Sequence, residues 1–328
     1  MTGQEFRMGE WFSVILTGLV LLVLLVAGYH AHVTRRVARR AETLVPPPGK
    51  FFTVDGNRIH YVERGEGRPI LFIHGMGGTQ FHFSYPLFDR LGADFRLVAI
   101  DRPGSGYSTR RRGGPVTPAE QAAFIARLIE ELELERPLIV GHSLGGAIAL
   151  ALALDHAEKV SGLALIAPLT RYYENVAPEF AALNIRSPLF RWLIAYTVST
   201  PNAIKYGPQT LDFVFGPQQP PEDYAIAGGA LSLLRPSHFY ASSTDFVAVA
   251  ETMKTQETRY GELKMPVGVF FGTADRVVNF KENGAWLEGK VAGLDLEVLE
   301  GAGHMPHYSE GDRAEAFIRR MAAKAFGA

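Results

Sequence analysis

Residues 137–158 read PLIVGHSLGGAIALALALDHAE, and the change of pattern inside this run constrains the fold more than any other feature of the chain. Pro137 to Val140 have the profile of a short buried strand, whereas Gly145 to Ala157 carry alanine and leucine on nearly every face, as a buried helix does. The junction, Gly141-His142-Ser143-Leu144-Gly145, fits the G-x-S-x-G pattern, in which a sharp strand-to-helix turn lifts the serine clear of a sheet and glycines make room for crowded backbone. A hydroxyl held there is exposed, rigid and at a helix N-terminus, where the helix dipole and free N–H groups favour negative charge. A plainer reading is a helix start capped by Ser143. The rest of the chain decides between them.

From residue 51 onward strand and helix signals alternate, which argues for an α/β architecture with a mainly parallel sheet. FFTVDGNRIHYVERGEG resembles an opening hairpin with Asp55, Gly56 and Asn57 in its turn. Strands are expected at 69–75, 96–104, 137–143, 162–168, 266–272 and 294–301. TPAEQAAFIARLIEELEL starts with a threonine cap and a proline and has helical spacing, as does SEGDRAEAFIRRMAAKAF near the C-terminus. Between 168 and 266 the alternation fails over a length far beyond an ordinary connection. This insert is neither polar nor repetitive, so it is expected to be a mostly helical cap, 169–265, between two halves of the core, 50–168 and 266–328. Its aromatic and aliphatic residues serve its own packing or line an apolar pocket above the carboxyl edge of the sheet.

The 328-residue chain has a formal net charge of −1, which argues against nucleic acid as a partner, and no cysteine, which excludes a disulfide framework, a thiolate nucleophile and a Cys-ligated metal. At the N-terminus, Trp11 to Tyr29 is uncharged for about 19 residues, close to the ~20 that cross a bilayer as a helix. A cleaved signal peptide would need a basic leading region and a small-x-small site; MTGQEFRMGE and AGYHAHVT supply neither, so residues 1–34 read as a single-pass membrane anchor. Arg35, Arg36, Arg39 and Arg40 follow it, against Arg7 before it, and the positive-inside bias then places the large C-terminal part in the cytoplasm. Residues 35–49, ending in LVPPPGK, read as a basic and proline-rich linker.

A serine hydroxyl is a weak nucleophile unless a base lies within hydrogen-bond reach and a third group orients that base. FFGTADRVV ends one expected strand and delivers Asp275 beyond it; LEGAGHMPH ends the next and delivers His304. Both fall at the sheet edge where Ser143 falls, in the order serine, acid, histidine. An aspartate after a strand is often a turn residue, and a lone histidine is usually structural; three coincidences in order are a different matter. A dinucleotide fingerprint is the rival for the glycines at 75 and 77, but position 80 is Gln.

HGMGG at 74–78, DRPGSGYS at 101–108, GHSLGG at 141–146, and the GTAD and GAGHMPH segments together resemble the α/β-hydrolase superfamily, in its capped serine-hydrolase, esterase- and lipase-like branch. The likeness covers about residues 50–328. It implies a mainly parallel sheet flanked by helices, a helical cap, and an oxyanion hole formed by the backbone N–H groups of Met76 and Leu144, each contributing roughly 3–4 kcal/mol to the transition state. Haloalkane dehalogenases and epoxide hydrolases share this architecture but carry aspartate at the elbow; serine points to an acyl-enzyme. The resemblance thus implies cleavage of small apolar carboxylic esters by Ser143, His304 and Asp275, with no metal or organic cofactor. His142 and His307 read as packing or loop support, and Asp101 as a brace for its loop. Carbon–carbon bond hydrolysis, perhydrolysis and noncatalytic ligand binding on the same fold are the alternatives.

Overall fold

A sheet of eight strands runs through the molecule, in the order β1-β2-β4-β3-β5-β6-β7-β8. The computed structural model describes residues 3–172 and 177–327. The strands are β1 (Lys50–Val54), β2 (Asn57–Arg64), β3 (Arg68–Ile73), β4 (Phe95–Ile100), β5 (Leu138–His142), β6 (Gly162–Ile166), β7 (Val267–Gly272) and β8 (Asp295–Leu299). The α-helices are α1 (Gly3–Leu44), α2 (Phe81–Leu91), α3 (Pro118–Glu131), α4 (Leu144–Asp155), α5 (Pro188–Tyr196), α6 (Ser199–Phe215), α7 (Pro236–Gln256), α8 (Phe280–Asn283), α9 (Pro306–Ser309) and α10 (Gly311–Phe326).

The first two strands form the expected hairpin, with Asp55 and Gly56 both at positive φ in a two-residue turn and Asn57 already paired with Val54. Strand β2 runs antiparallel to β4, and every later pairing is parallel. Side chains on the parallel strands alternate between two apolar cores, as a period of two requires. Leu71 and Ile73 face α3 and α4, while Ile70 and Phe72 face α2 and α10. Helix α3 starts at the expected cap: Thr117 accepts from the Glu120 N–H and the Glu120 carboxylate accepts from the Thr117 N–H, a reciprocal capping box with Pro118 at the first helical position.

Strand order creates the site's position. The chain passes from β3 to β4 on one side, then crosses back to place β5 on the other side of β3, so the direction in which strands are added reverses between β3 and β5. Ligands on open α/β sheets bind at such a reversal, outside the carboxyl ends of the strands. Ile73 pairs with Gly141, and Gly272 pairs with Leu299, so the segments after β3, β5, β7 and β8 all emerge at this edge.

Two features differ from the sequence expectation. The helix that carries the expected anchor does not end near residue 34: α1 continues without a break to Leu44. The segment expected as a linker, 35–49, is instead docked: Glu42 pairs with Arg235 at 2.7 Å, Tyr107 Oη donates to the Val45 carbonyl and His60 bonds the Pro48 carbonyl, while Thr34 just before it donates from Oγ1 to the Thr197 carbonyl at 2.6 Å. Between β6 and β7 the described residues are mostly helical, in α5 to α7 with short 3-10 turns at Pro178–Leu183, Ala230–Leu234 and Tyr260–Glu262. Residues 173–176 of the expected cap lie outside the described residues.

Candidate active site

The turn between β5 and α4 carries Ser143 at φ 53° and ψ −120°. A non-glycine residue in that region costs on the order of 1–3 kcal/mol and persists only where its surroundings hold it. Here the Ser143 N–H donates to the Ile166 carbonyl at 3.1 Å, and its carbonyl accepts from the Gly146 and Leu169 N–H groups. The turn also fits only because its neighbours lack side chains. A Cβ at Gly145 would run into the Ile73 carbonyl, and one at Gly75 would meet the Ser143 Cβ at 2.9 Å. The glycines therefore let the loop after β3 and the serine turn lie directly against one another.

Asp275 and His304 come together as their order in the chain predicted. His304 Nδ1 lies 2.7 Å from Asp275 Oδ2, and both side chains are almost wholly buried. A carboxylate can only accept, so Nδ1 carries a proton and the ring's other nitrogen, Nε2, points away from Asp275. The other oxygen, Asp275 Oδ1, accepts the Val277 and Val278 N–H groups, both at 2.8 Å, which fixes the carboxylate plane. No Ser143–His304 hydrogen bond is formed among the described residues; such contacts commonly tighten only around a bound substrate.

His142 supports this arrangement from behind. Its Nε2–H donates to the His304 carbonyl at 3.0 Å, and its ring centroid is 4.6 Å from that of His304 and 4.9 Å from that of His307. Burial, reinforced by the neighbouring His304 and His307, holds the His142 imidazole well below the usual histidine range, so it stays neutral. His307 is likewise buried and stacks on Phe83. Asp101 braces its loop: its carboxylate accepts from the Gln80 and Tyr107 N–H groups, both at 2.8 Å, and pairs with His60.

Sequence reasoning missed Arg102. It is fully buried and donates to the carbonyls of His74 at 2.9 Å and Gly75 at 3.0 Å, to Gln121 Oε1 at 2.8 Å, and to Asp245 Oδ2 at 2.7 Å. Arg110 Nη2 binds the second Asp245 oxygen at 2.5 Å. Burial pulls Arg102 below its ordinary value and Asp245 opposes that shift. His74 closes the network: its Nε2 accepts the Arg102 N–H at 3.0 Å, so its Nδ1–H donates to the Gly75 carbonyl at 2.8 Å. With the 74 and 75 carbonyls drawn toward Arg102, the loop that leads to the Met76 N–H is fixed. The signal was present as a lone acid amid the small and apolar residues of ASSTDFVAVA, where a buried charge demands a partner.

Met76, Ser143, Leu144 and Asp275 line a cavity of about 690 Å³ whose other wall comes from the insert, with Phe180, Phe246, Val249 and Met253. The volume lies within the 300–1,000 Å³ range of small-molecule sites. Leu144 opens α4, so its N–H has no partner inside the helix and is available to a ligand beside Ser143. Among the described residues no group of three His, Cys, Asp or Glu side chains is placed to hold a metal ion.

These features define an α/β hydrolase, and the chain belongs to that family: residues 70–320 match the model described as "Alpha/beta hydrolase family". Among curated relatives, the dihydrolipoyllysine-residue acetyltransferase component of the acetoin cleaving system of Cupriavidus necator is 40% identical over 121 residues, covering 37% of this chain and 32% of that protein. An uncharacterised Mycobacterium tuberculosis protein is 27% identical over 294 residues, with 88% of this chain and 84% of that protein covered. Among solved structures, a membrane phospholipase A, described as a bacterial virulence factor, superposes over 96% of this chain and 100% of its own with a TM-score of 0.67 at 23% identity, a likeness of fold.

Proposed function

We propose that this protein is a membrane-anchored serine hydrolase that cleaves apolar carboxylic esters through an acyl-enzyme. The observation that carries the reading is the strained Ser143 turn in a cavity with an apolar wall of Phe180, Phe246, Val249 and Met253, next to a buried His304–Asp275 pair and the amides of Met76 and Leu144. In this mechanism His304 Nε2 takes the Ser143 proton as Oγ attacks the ester carbonyl, and Asp275 holds the imidazolium that forms. The carbonyl oxygen gains charge between the Met76 and Leu144 amides, where the N-terminal end of α4 adds its positive dipole end. His304 then protonates the departing alcohol and activates water to release the acid. No metal or organic cofactor enters these steps.

The helical insert acts as the cap that closes the apolar side of the site. Helix α1 contains a window of mean hydropathy 2.5 with none of it buried, long and apolar enough to cross a membrane. The arginines behind it put the hydrolase body on the cytoplasmic side. A membrane phospholipase A of the same fold supports esters of lipid acyl chains as the substrate class.

Turnover of a chain-length series of p-nitrophenyl esters by the full chain, beside Ser143→Ala, tests this reading. Wild-type activity should fall by at least about 10³-fold in the variant, and an alkyl fluorophosphonate should label only the wild type. A folded wild type that neither turns over esters nor takes the label would favour the noncatalytic alternative. Labelling without ester turnover would favour carbon–carbon hydrolysis or perhydrolysis.

A further inference from the structure

Helix α5 and the start of α6 carry a face that no described residue covers. On α5, Arg191 and Ala195 are buried against the insert, whereas Leu189, Phe190, Trp192 and Leu193 stand 70, 55, 51 and 41% exposed on the opposite side. Ile204 and Tyr206 extend the apolar surface along α6. Trp192 and Tyr196 stack at 5.4 Å, and these are the two residue types that concentrate at membrane–water boundaries. A contiguous patch of this kind marks an interaction surface.

We propose that this face docks on an anionic lipid bilayer, the one that α1 crosses, and that the cavity mouth opens against it. The proposal rests on the reading of α1 as a transmembrane anchor and deepens the reading of the site as one for lipid esters. Three observations select a bilayer as the occupant. First, α1 packs by its C-terminal part on the same helices: Thr34, just beyond the apolar window, bonds the Thr197 carbonyl between α5 and α6. The patch is therefore held near the point where α1 leaves the membrane. Second, the charge suits an anionic surface. Residues 180–211 contain no Asp or Glu while carrying the exposed Arg186 and Lys205, and the neighbouring Arg35, Arg36, Arg39 and Arg40 of α1 are all exposed. Basic residues beside a membrane span are attracted to anionic headgroups, and an amphipathic helix with such flanks lies in the interface plane. Third, Ala177, Phe180, Asn184 and Arg186 line the cavity, and they occupy the segment that leads directly into α5. An acyl chain leaving the docked leaflet would reach Ser143 through that wall without crossing water.

The chain contains no cysteine, so a single introduced thiol gives a unique spin-label site. Full chains carrying Phe190→Cys, Leu193→Cys, Leu22→Cys on α1 or Glu131→Cys on α3 would be labelled in vesicles of phosphatidylcholine and phosphatidylglycerol. Depth would be read from the ratio of oxygen to nickel-chelate accessibility. Sites 190 and 193 should read as immersed at the headgroup–acyl boundary, Leu22 as bilayer core and Glu131 as water. Values at 190 and 193 equal to those at Glu131, with Leu22 in the core, would overturn the docking surface and leave the anchor standing. Leu22 in water would overturn the anchor reading and the docking proposal with it. Shielding of 190 and 193 from both relaxants, with dipolar broadening, would assign the face to a second copy of the chain and overturn the bilayer as its occupant. As an independent check, Phe190→Ser with Leu193→Ser should lower turnover of a vesicle-embedded long-chain ester at least about tenfold and leave turnover of a soluble short-chain ester unchanged. Equal turnover of the embedded ester by wild type and variant would count against the proposal.

Discussion

Arg102 is the largest fully buried side chain among the described residues, and its position explains why the loop after β3 has one shape. Its planar fork binds two successive carbonyls of that loop at once, a pattern a lysine ammonium cannot reproduce. Asp245 belongs to α7, next to Phe246 in the cavity wall, so the same ion pair ties the insert to the loop. Arg102 thus acts as a positioning residue for the Met76 amide. Arg102→Lys should lower kcat by about ten- to a hundredfold with KM changed by less than about twofold, since a misdirected donor harms the transition state more than binding. Asp245→Asn, which keeps the shape of the side chain, should shift kcat in the same direction by less. A loss of Tm with kcat unchanged in the folded protein would assign the pair a structural role alone. The placement of Ser143, Asp275 and His304 at one sheet edge was legible in the sequence because each follows a strand whose pattern is clear. Arg102–Asp245 was not, because its partners lie 143 positions apart and only the packing of α7 on the core joins them.

The elements were most legible where local chemistry and burial agree. Helix α3 began at the threonine and proline that the sequence offered, and Thr117→Ala should remove one cap acceptor and destabilise the protein by about 1 kcal/mol, seen as a lower denaturant midpoint at unchanged slope. An unchanged midpoint would mean that the tertiary contacts of α3 alone set its start. The parallel strands were located by continuous apolar runs, because both of their faces are covered. Helix α1 was less legible at its C-terminal end. Arginines after an apolar span suggested a boundary, yet Ala38 and Ala41 on the opposite side are buried, and that small-residue stripe lets the helix continue onto the insert. The surface of α5 was hidden for a related reason: composition cannot tell an aromatic that packs inward from one that packs outward.

Across the whole molecule, buried histidines set the response to acid. Burial pushes His82 down to about 3 and His238 down to about 4, and holds His74, His142 and His307 well below the usual range. Above the ordinary value of 6.5 these rings are neutral in both folded and unfolded chains, so their contribution is fully present there. As the pH falls from that value toward the folded ones, the unfolded chain binds protons that the folded chain refuses, and stability is lost at up to about 1.4 kcal/mol per pH unit for each group. Thermal melts should show a Tm that is flat above about pH 7 and falls below about pH 6.5, with a shallower fall in His82→Gln. A Tm independent of pH down to about 5 would contradict a neutral histidine cluster. The unbroken course of α1 has a mechanical consequence on the same scale. If the helix that spans the bilayer is also the one bolted to the insert, it behaves as a rigid lever: a thicker or thinner membrane changes its tilt, and the hydrolase body must swing with it. Bilayer thickness would then set how closely the mouth of the cavity meets the leaflet, and lipid composition would tune the enzyme without binding to it.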